Sequence, residues 1–189
     1  MRPFAPLFAV AVIATASQAW AAPAPAWTVD KGASKVAFAS SFDGGAFTGA
    51  FRRWDAAIRF DPANLAGSSA VVTFDMASAV TGDASRDEAL PTDPWFAAAR
   101  FPKATFRAAS FKALGGNRYQ AVGDLTIRGV TKPLTLPFTL VITGDVAKMN
   151  ASVALNRLAF GVGQDEWKTT EAVPGTVTVT ISLTARRAG

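Results

Sequence analysis

The sequence predicts an all-β protein, and two observations carry that expectation. After residue 26, apolar and polar residues alternate with a period of two through most of the chain. Turn-forming clusters interrupt the alternation at short intervals: Asp43-Gly44-Gly45, Asp61-Pro62-Ala63-Asn64 and Gly115-Gly116-Asn117. Eight or more short strands at such spacing build a sandwich or a barrel.

The elements follow in chain order. Residues 1–21, MRPFAPLFAVAVIATASQAWA, carry one charge at Arg2, an apolar run from Leu7 to Ala14, and a small-x-small site at Ala19-Trp20-Ala21. That is the layout of a secretory signal peptide, and the run is too short for a lasting bilayer anchor. The expectation is an exported, periplasmic protein, soluble after cleavage near Ala21, with residues 22–189 as one domain. Residues 22–26, APAPA, read as a short extended leader.

Strands are expected at Trp27–Val29, Lys35–Phe42, Ala46–Phe51, Ala56–Asp61, Ala70–Ser78, Ala104–Leu114, Arg118–Arg128, 134–142, Ala147–Arg157 and 176–185. The last is the cleanest: Thr176, Thr178, Thr180, Ser182 and Thr184 take one face, and Val177, Val179, Ile181, Leu183 and Ala185 the other. In 134–142, Pro137 marks an edge or a bulge. Gly129 and Pro133 are expected to shape a hairpin into that strand. Residues 83–101 lack alternation. Asp83 or Ser85 suits a helix cap with Asp87 and Glu88 in the first turn, while Pro91 and Pro94 forbid a long helix. One or two short helices over a barrel end are expected there.

Composition excludes several functions. There is no cysteine, so no disulfide and no thiolate metal site. There is no histidine, which removes Ser-His-Asp and Cys-His catalysis, His-based zinc sites and His-ligated haem. No cofactor and no metal site are expected; Asp83, Asp87 and Asp93 lack the tight spacing of a calcium loop. The formal charge is +5, and +4 without Arg2, but Lys and Arg are scattered rather than clustered, which argues against a nucleic-acid partner.

Fourteen Phe and five Trp are many for 189 residues. Much of this load falls on apolar strand faces. It either packs a solid core or lines a hollow lumen, since an eight-stranded barrel is about the size at which both occur. Periodicity does not separate the two.

An ordered set of motifs narrows the choice. Trp27 and Val29-Asp30 open it, followed by Ser34, Val36 and Phe38, then Gly49 and Phe51, then Ile58 and Phe60-Asp61-Pro62. Ser78 with Val80-Thr81-Gly82, Arg86-Asp87 with Leu90, and Trp95-Phe96 precede Phe101-Pro102, Ala104 and Phe106. The strongest piece runs from Tyr119 through Gly123-Asp124-Leu125-Thr126-Ile127-Arg128-Gly129-Val130-Thr131-Lys132-Pro133, and Phe160-Gly161-Val162-Gly163 and Trp167 close the series. In this set the chain resembles the YceI-like family from about Trp27 to Ala185. Many members carry a histidine four residues after the position of Phe38; here that residue is Phe42, so no role of that histidine carries over. The stretch Gly45 to Phe51 is similar to a branch with the pattern Gly-x-Phe-x-Gly-x-Phe, whose members often accompany a membrane b-type cytochrome.

The resemblance implies an antiparallel lipocalin-like barrel of about eight strands, no enzymatic activity, and a lumen that holds a long amphiphile: a polyisoprenoid, an isoprenoid quinone or a fatty amide. It leaves open a membrane b-type cytochrome partner, served by a filled barrel, and a homodimer. A carboxylate-dependent enzyme is the third reading, and it requires two convergent ionisable groups in a cleft. The lipid wall is expected at Phe38, Phe42, Phe47, Phe51, Ile58, Phe60, Phe74, Phe106, Leu125, Ile127, Leu136, Phe138, Leu140, Val179 and Ile181. Arg86, Asp87, Leu90, Trp95 and Phe96 are expected at the entrance, with Arg86 and Asp87 as headgroup candidates.

Overall fold

In the computed structural model, which describes residues 23–188, the alternating segments form strands of one antiparallel sheet. They are β1 (Ala26–Val29), β2 (Lys35–Phe42), β3 (Gly45–Phe51), β4 (Trp54–Arg59), β5 (Ser69–Asp75), β6 (Ala79–Val80), β7 (Lys103–Gly115), β8 (Arg118–Ile127), β9 (Val130–Thr143), β10 (Val146–Asn156) and β11 (Thr176–Arg187). The helix α1 (Ala84–Ala89) lies between β6 and β7. The expected signal peptide and its cleavage site lie outside the described residues.

The neighbour order β1-β4-β5-β7-β8-β9-β10-β11 returns from β11 to β1, so eight strands close a barrel. The other three are continuations. β1 and β2 both run antiparallel to β11, with Val29 opposite Ala185 and Lys35 opposite Ser182. They are one strand interrupted by a turn in which the Asp30 carboxylate accepts the N–H groups of Gly32 and Ala33. β3 and β4 pair with β2 and β1 in turn and are likewise one bent strand. A 3-10 turn at Met76–Ser78, capped by Asp75, separates β5 from β6. The upper end of the barrel carries the β2–β3 and β8–β9 turns, α1 and the 157–175 connection. The lower end carries the β7–β8 and β9–β10 turns.

The β8–β9 turn consists of Arg128 and Gly129, both with positive φ (53° and 75°), as a two-residue primed turn requires. Pro133 does not shape it: it lies inside β9, opposite Asp124. This is a correction with a physical reason. The turn needs two left-handed residues, which proline cannot supply.

The hairpin register also fixes where the prolines do matter. With Ile127–Val130 as the hydrogen-bonded closing pair, the N–H positions of residues 133 and 137 point towards β10. Both are prolines and have no N–H. The β9–β10 ladder accordingly runs from Thr143↔Val146 to Phe138↔Ala151 and stops there, leaving the seam between the two strands unpaired in the upper half. Pro137 sits where the ladder ends, as the expected edge.

One bulge changes which residues face in. On β7, Ala108 pairs with Gly123 and Ser110 with Val122, so Ala109 is an extra residue. Inward parity shifts at that point, and Phe106 and Phe111 both face the lumen although they are an odd number of residues apart. At the lower end Phe111, Tyr119 and Phe138 surround Phe60, with ring centroids 5.4 to 6.0 Å from it. The Trp27 indole donates to the Phe60 carbonyl at 2.9 Å, so this plug is satisfied as well as packed.

Candidate functional site

The barrel is hollow. A cavity of about 630 Å³ runs from the lower aromatic plug to the upper mouth, within the range of small-molecule sites. Half-buried inward residues mark its wall: all of β5, including Val72 and Phe74, is neither fully buried nor exposed. The filled barrel expected of a pure interaction module is not what the strands build.

All fifteen residues expected in the wall line this cavity, from Phe38 on β2 to Val179 and Ile181 on β11. Sequence reasoning missed further lining residues: Trp54, Phe111, Met149, Val153, Leu155 and Trp167. Alternation in 147–155 was visible, but Ala147 and Ala151 dilute its apolar face. Gly49 pairs with Phe38, and a Cβ there would lie 2.2 Å from the ring, so the glycine gives Phe38 its seat against β3. Phe51 contacts Phe38, Phe74 and Phe96 at 5.4 to 6.2 Å, joining wall and roof.

Two segments roof the upper end. In the first, the Asp83 side chain caps α1 by accepting the Arg86 N–H at 3.0 Å. Leu90, Trp95, Phe96 and Arg86 line the cavity from this segment. Arg128 ties the segment down by donating to the carbonyls of Asp93 and Trp95. The Arg-Gly turn thus positions the roof and makes no contact with the lumen chemistry.

The second segment is organised by Arg157, which is only 5% exposed. Its five N–H groups donate to the carbonyls of Pro174, Val162, Trp167, Thr169 and Val173 at 2.8 to 3.0 Å. The guanidinium also lies over the Trp95 ring at 5.5 Å. Burial lowers its pKa from the usual value, yet an arginine stays charged. Gly163 makes room: a Cβ there would meet Nη1 at 1.8 Å. The two segments join where the N–H groups of Gly163 and Gln164 donate to the Pro94 carbonyl.

Arg86 and Asp87 do not act as a pair. Asp87 accepts from the Thr81 N–H at 2.6 Å, the Thr81 hydroxyl at 2.7 Å and the Gly82 N–H at 3.3 Å. Arg86 instead pairs with Asp83 at 3.4 Å and lies over the Phe47 ring at 4.8 Å. Successive helical residues point in different directions, so only Arg86 reaches the cavity. The Thr81 hydroxyl is the main cause holding the Asp87 pKa below its usual 3.8. A depressed carboxylate adds stability above its unfolded pKa and loses it as pH falls through the folded value. Acidification below 3.8 should therefore loosen the 81–90 segment, and Asp87→Asn should flatten that dependence. Melting curves against pH for both proteins check this.

Among the described residues no group of three carboxylates is placed to hold a metal ion. Two ionisable groups line the mouth from α1 and its cap, Asp83 and Arg86, and they neutralise each other.

Fold and site together define a hollow antiparallel barrel with an apolar interior, closed below by aromatic rings and roofed above by two loops. The chain belongs to the YceI-like domain family, whose model matches residues 27–185. It is 30% identical to a UPF0312 protein of Vibrio cholerae over 164 residues, 85% of this chain and 77% of that one. It is 38% identical to protein YceI of Escherichia coli over 97 residues, about half of each chain. Among solved structures it is similar to BcnA of Burkholderia cenocepacia, with a TM-score of 0.80 and 35% identity over 82% of this chain and 98% of that one. A polyisoprenoid binding domain from Saccharophagus degradans shares the fold at a TM-score of 0.67 and 16% identity, covering 87% of this chain and 99% of that one.

Proposed function

We propose that the protein is an exported carrier that binds a long amphiphile, a polyisoprenoid, isoprenoid quinone or fatty amide, in the barrel lumen. The observation that carries this reading is the apolar cavity of about 630 Å³ with its polar lining groups gathered at one end. An apolar tail in such a lumen leaves water with a gain of about 25 cal/mol per Å² buried. The family membership and the polyisoprenoid binding domain with the same fold support it. The signal-peptide pattern in residues 1–21 supports export to the periplasm. Carriage fits this wall better than catalysis, because the carboxylates near the mouth are already occupied by Arg86 and Thr81.

Native mass spectrometry of protein purified from its export compartment, followed by organic extraction, tests the reading. An added mass that extracts as an isoprenoid or long-chain amide is expected. A bare polypeptide that also fails to take up added quinones, polyprenyl lipids and fatty amides would sink it. A second test places a charge in the wall. Phe74→Asp sets a carboxylate among the apolar side chains of Phe51, Trp54 and Val72. It should abolish uptake or folding; retention of both would remove Phe74 from the wall.

A further inference from the structure

The few polar groups of the cavity decide how a bound molecule is oriented. They are Ser40, Thr81, Asp83, Ser85, Arg86 and Arg157. Most are committed. Thr81 donates to Asp87, Asp83 caps α1 and pairs with Arg86, and Arg157 spends its five N–H groups on carbonyls.

Ser40 is different. Among the described residues, its Oγ is the one buried side-chain oxygen or nitrogen without a hydrogen-bond partner. A hydroxyl without a partner in the protein is one whose hydrogen bond a bound group can complete. It stands on the inward face of β2, between Phe38 and Phe42. It pairs across the sheet with Phe47, so both side chains share one face. The Arg86 guanidinium lies over that same Phe47 ring. Ser40 is thus the cross-strand neighbour of the residue whose ring Arg86 covers, at the end where Phe42 is 39% exposed. The lumen below them is lined by hydrocarbon down to the plug around Phe60.

We propose that Ser40 Oγ and the Arg86 guanidinium hold the polar end of the cargo, and that this end is an oxygen acceptor (carbonyl, hydroxyl or phosphate) joined directly to the apolar tail. The assignment rests on the carrier reading above. A hydroxyl donor and a guanidinium lining the same end of an apolar lumen both select an acceptor oxygen. A cationic head finds no free carboxylate at this end, since Asp83 is already paired with Arg86. The tail then points downward, towards Phe106 and Phe138.

The test compares delipidated wild type with Ser40→Ala and Arg86→Met. Three probes share one C20 isoprenoid tail: geranylgeraniol, geranylgeranyl phosphate and the matching polyene without a headgroup. Tryptophan fluorescence reports binding, because Trp54, Trp95 and Trp167 line the cavity. Ser40→Ala should weaken the alcohol and the phosphate by about 3- to 10-fold and leave the headless polyene unchanged. A further loss for the phosphate alone in Arg86→Met would support an anionic head, and a loss for both probes a neutral oxygen head, each within the proposal. If the polyene binds wild type but Ser40→Ala leaves all three affinities unchanged, the headgroup assignment fails and the carrier reading stands. If no probe binds wild type, both fall.

Discussion

Replacing Arg157 with methionine should unfasten the upper roof of the barrel. The substitution keeps much of the side-chain bulk but strips donors from five carbonyls, of Pro174, Val162, Trp167, Thr169 and Val173. An unsatisfied buried carbonyl costs about 1–3 kcal/mol, and the loop relaxes to recover part of that, so a net loss of roughly 3–5 kcal/mol is expected. Arg157→Lys should rescue little, because one ammonium cannot reach five acceptors spread around a planar fork. Denaturant unfolding measures the loss, and hydrogen exchange places it. Protection should fall first in residues 157–175 and in the 93–95 stretch joined to them through Pro94. Arg157→Met with wild-type stability and exchange would mean that the roof is held by its apolar contacts alone.

The second large effect is expected at Gly123, in the β7–β8 pairing. A Cβ there would lie 2.0 Å from the Arg107 carbonyl oxygen and 2.7 Å from the Ala108 Cα. Both are backbone atoms of the bulged strand, so no side chain can swing aside. Gly123→Ala should therefore cost about 1–3 kcal/mol or more through forced backbone movement. It should also disturb the bulge that turns Phe111 inward, and with it the lower plug. Thermal unfolding gives the cost, and the near-ultraviolet signal of the aromatic cluster reports the plug. An unchanged melting temperature would show that the β7–β8 pairing at Ala108 is looser than described.

Much of the fold was legible because strand faces write themselves as alternation. The stretch from Thr176 to Ala185 and the apolar set Leu134, Leu136, Phe138, Leu140 and Ile142 could be read directly, and both lie in barrel strands. The wall was legible for the same reason, since in a barrel the apolar face is the lumen face. Three things were not. Whether the face was filled or hollow depends on barrel radius and side-chain reach, which alternation does not encode. Phe111 was hidden by the bulge at Ala109, which shifts parity without any proline or glycine at that residue. Arg157 looked like an ordinary strand-end cation, and its partners are carbonyls, which carry no sequence signature. The strongest family motif had a structural explanation that spacing concealed. Arg128 and Gly129 are a left-handed turn whose arginine secures the roof and whose glycine lies against the Phe101 ring.

The unpaired seam between β9 and β10 bears on where the barrel wall can yield. Below Phe138 the hoop is riveted by backbone hydrogen bonds all the way round. Above it, two prolines leave that seam without a ladder, with the lumen residues Leu134 and Leu136 on one side of it and Val153 and Leu155 on the other. The upper circumference can therefore widen at that seam without breaking a backbone hydrogen bond there, so the sleeve is stiffer in its lower half than at its mouth.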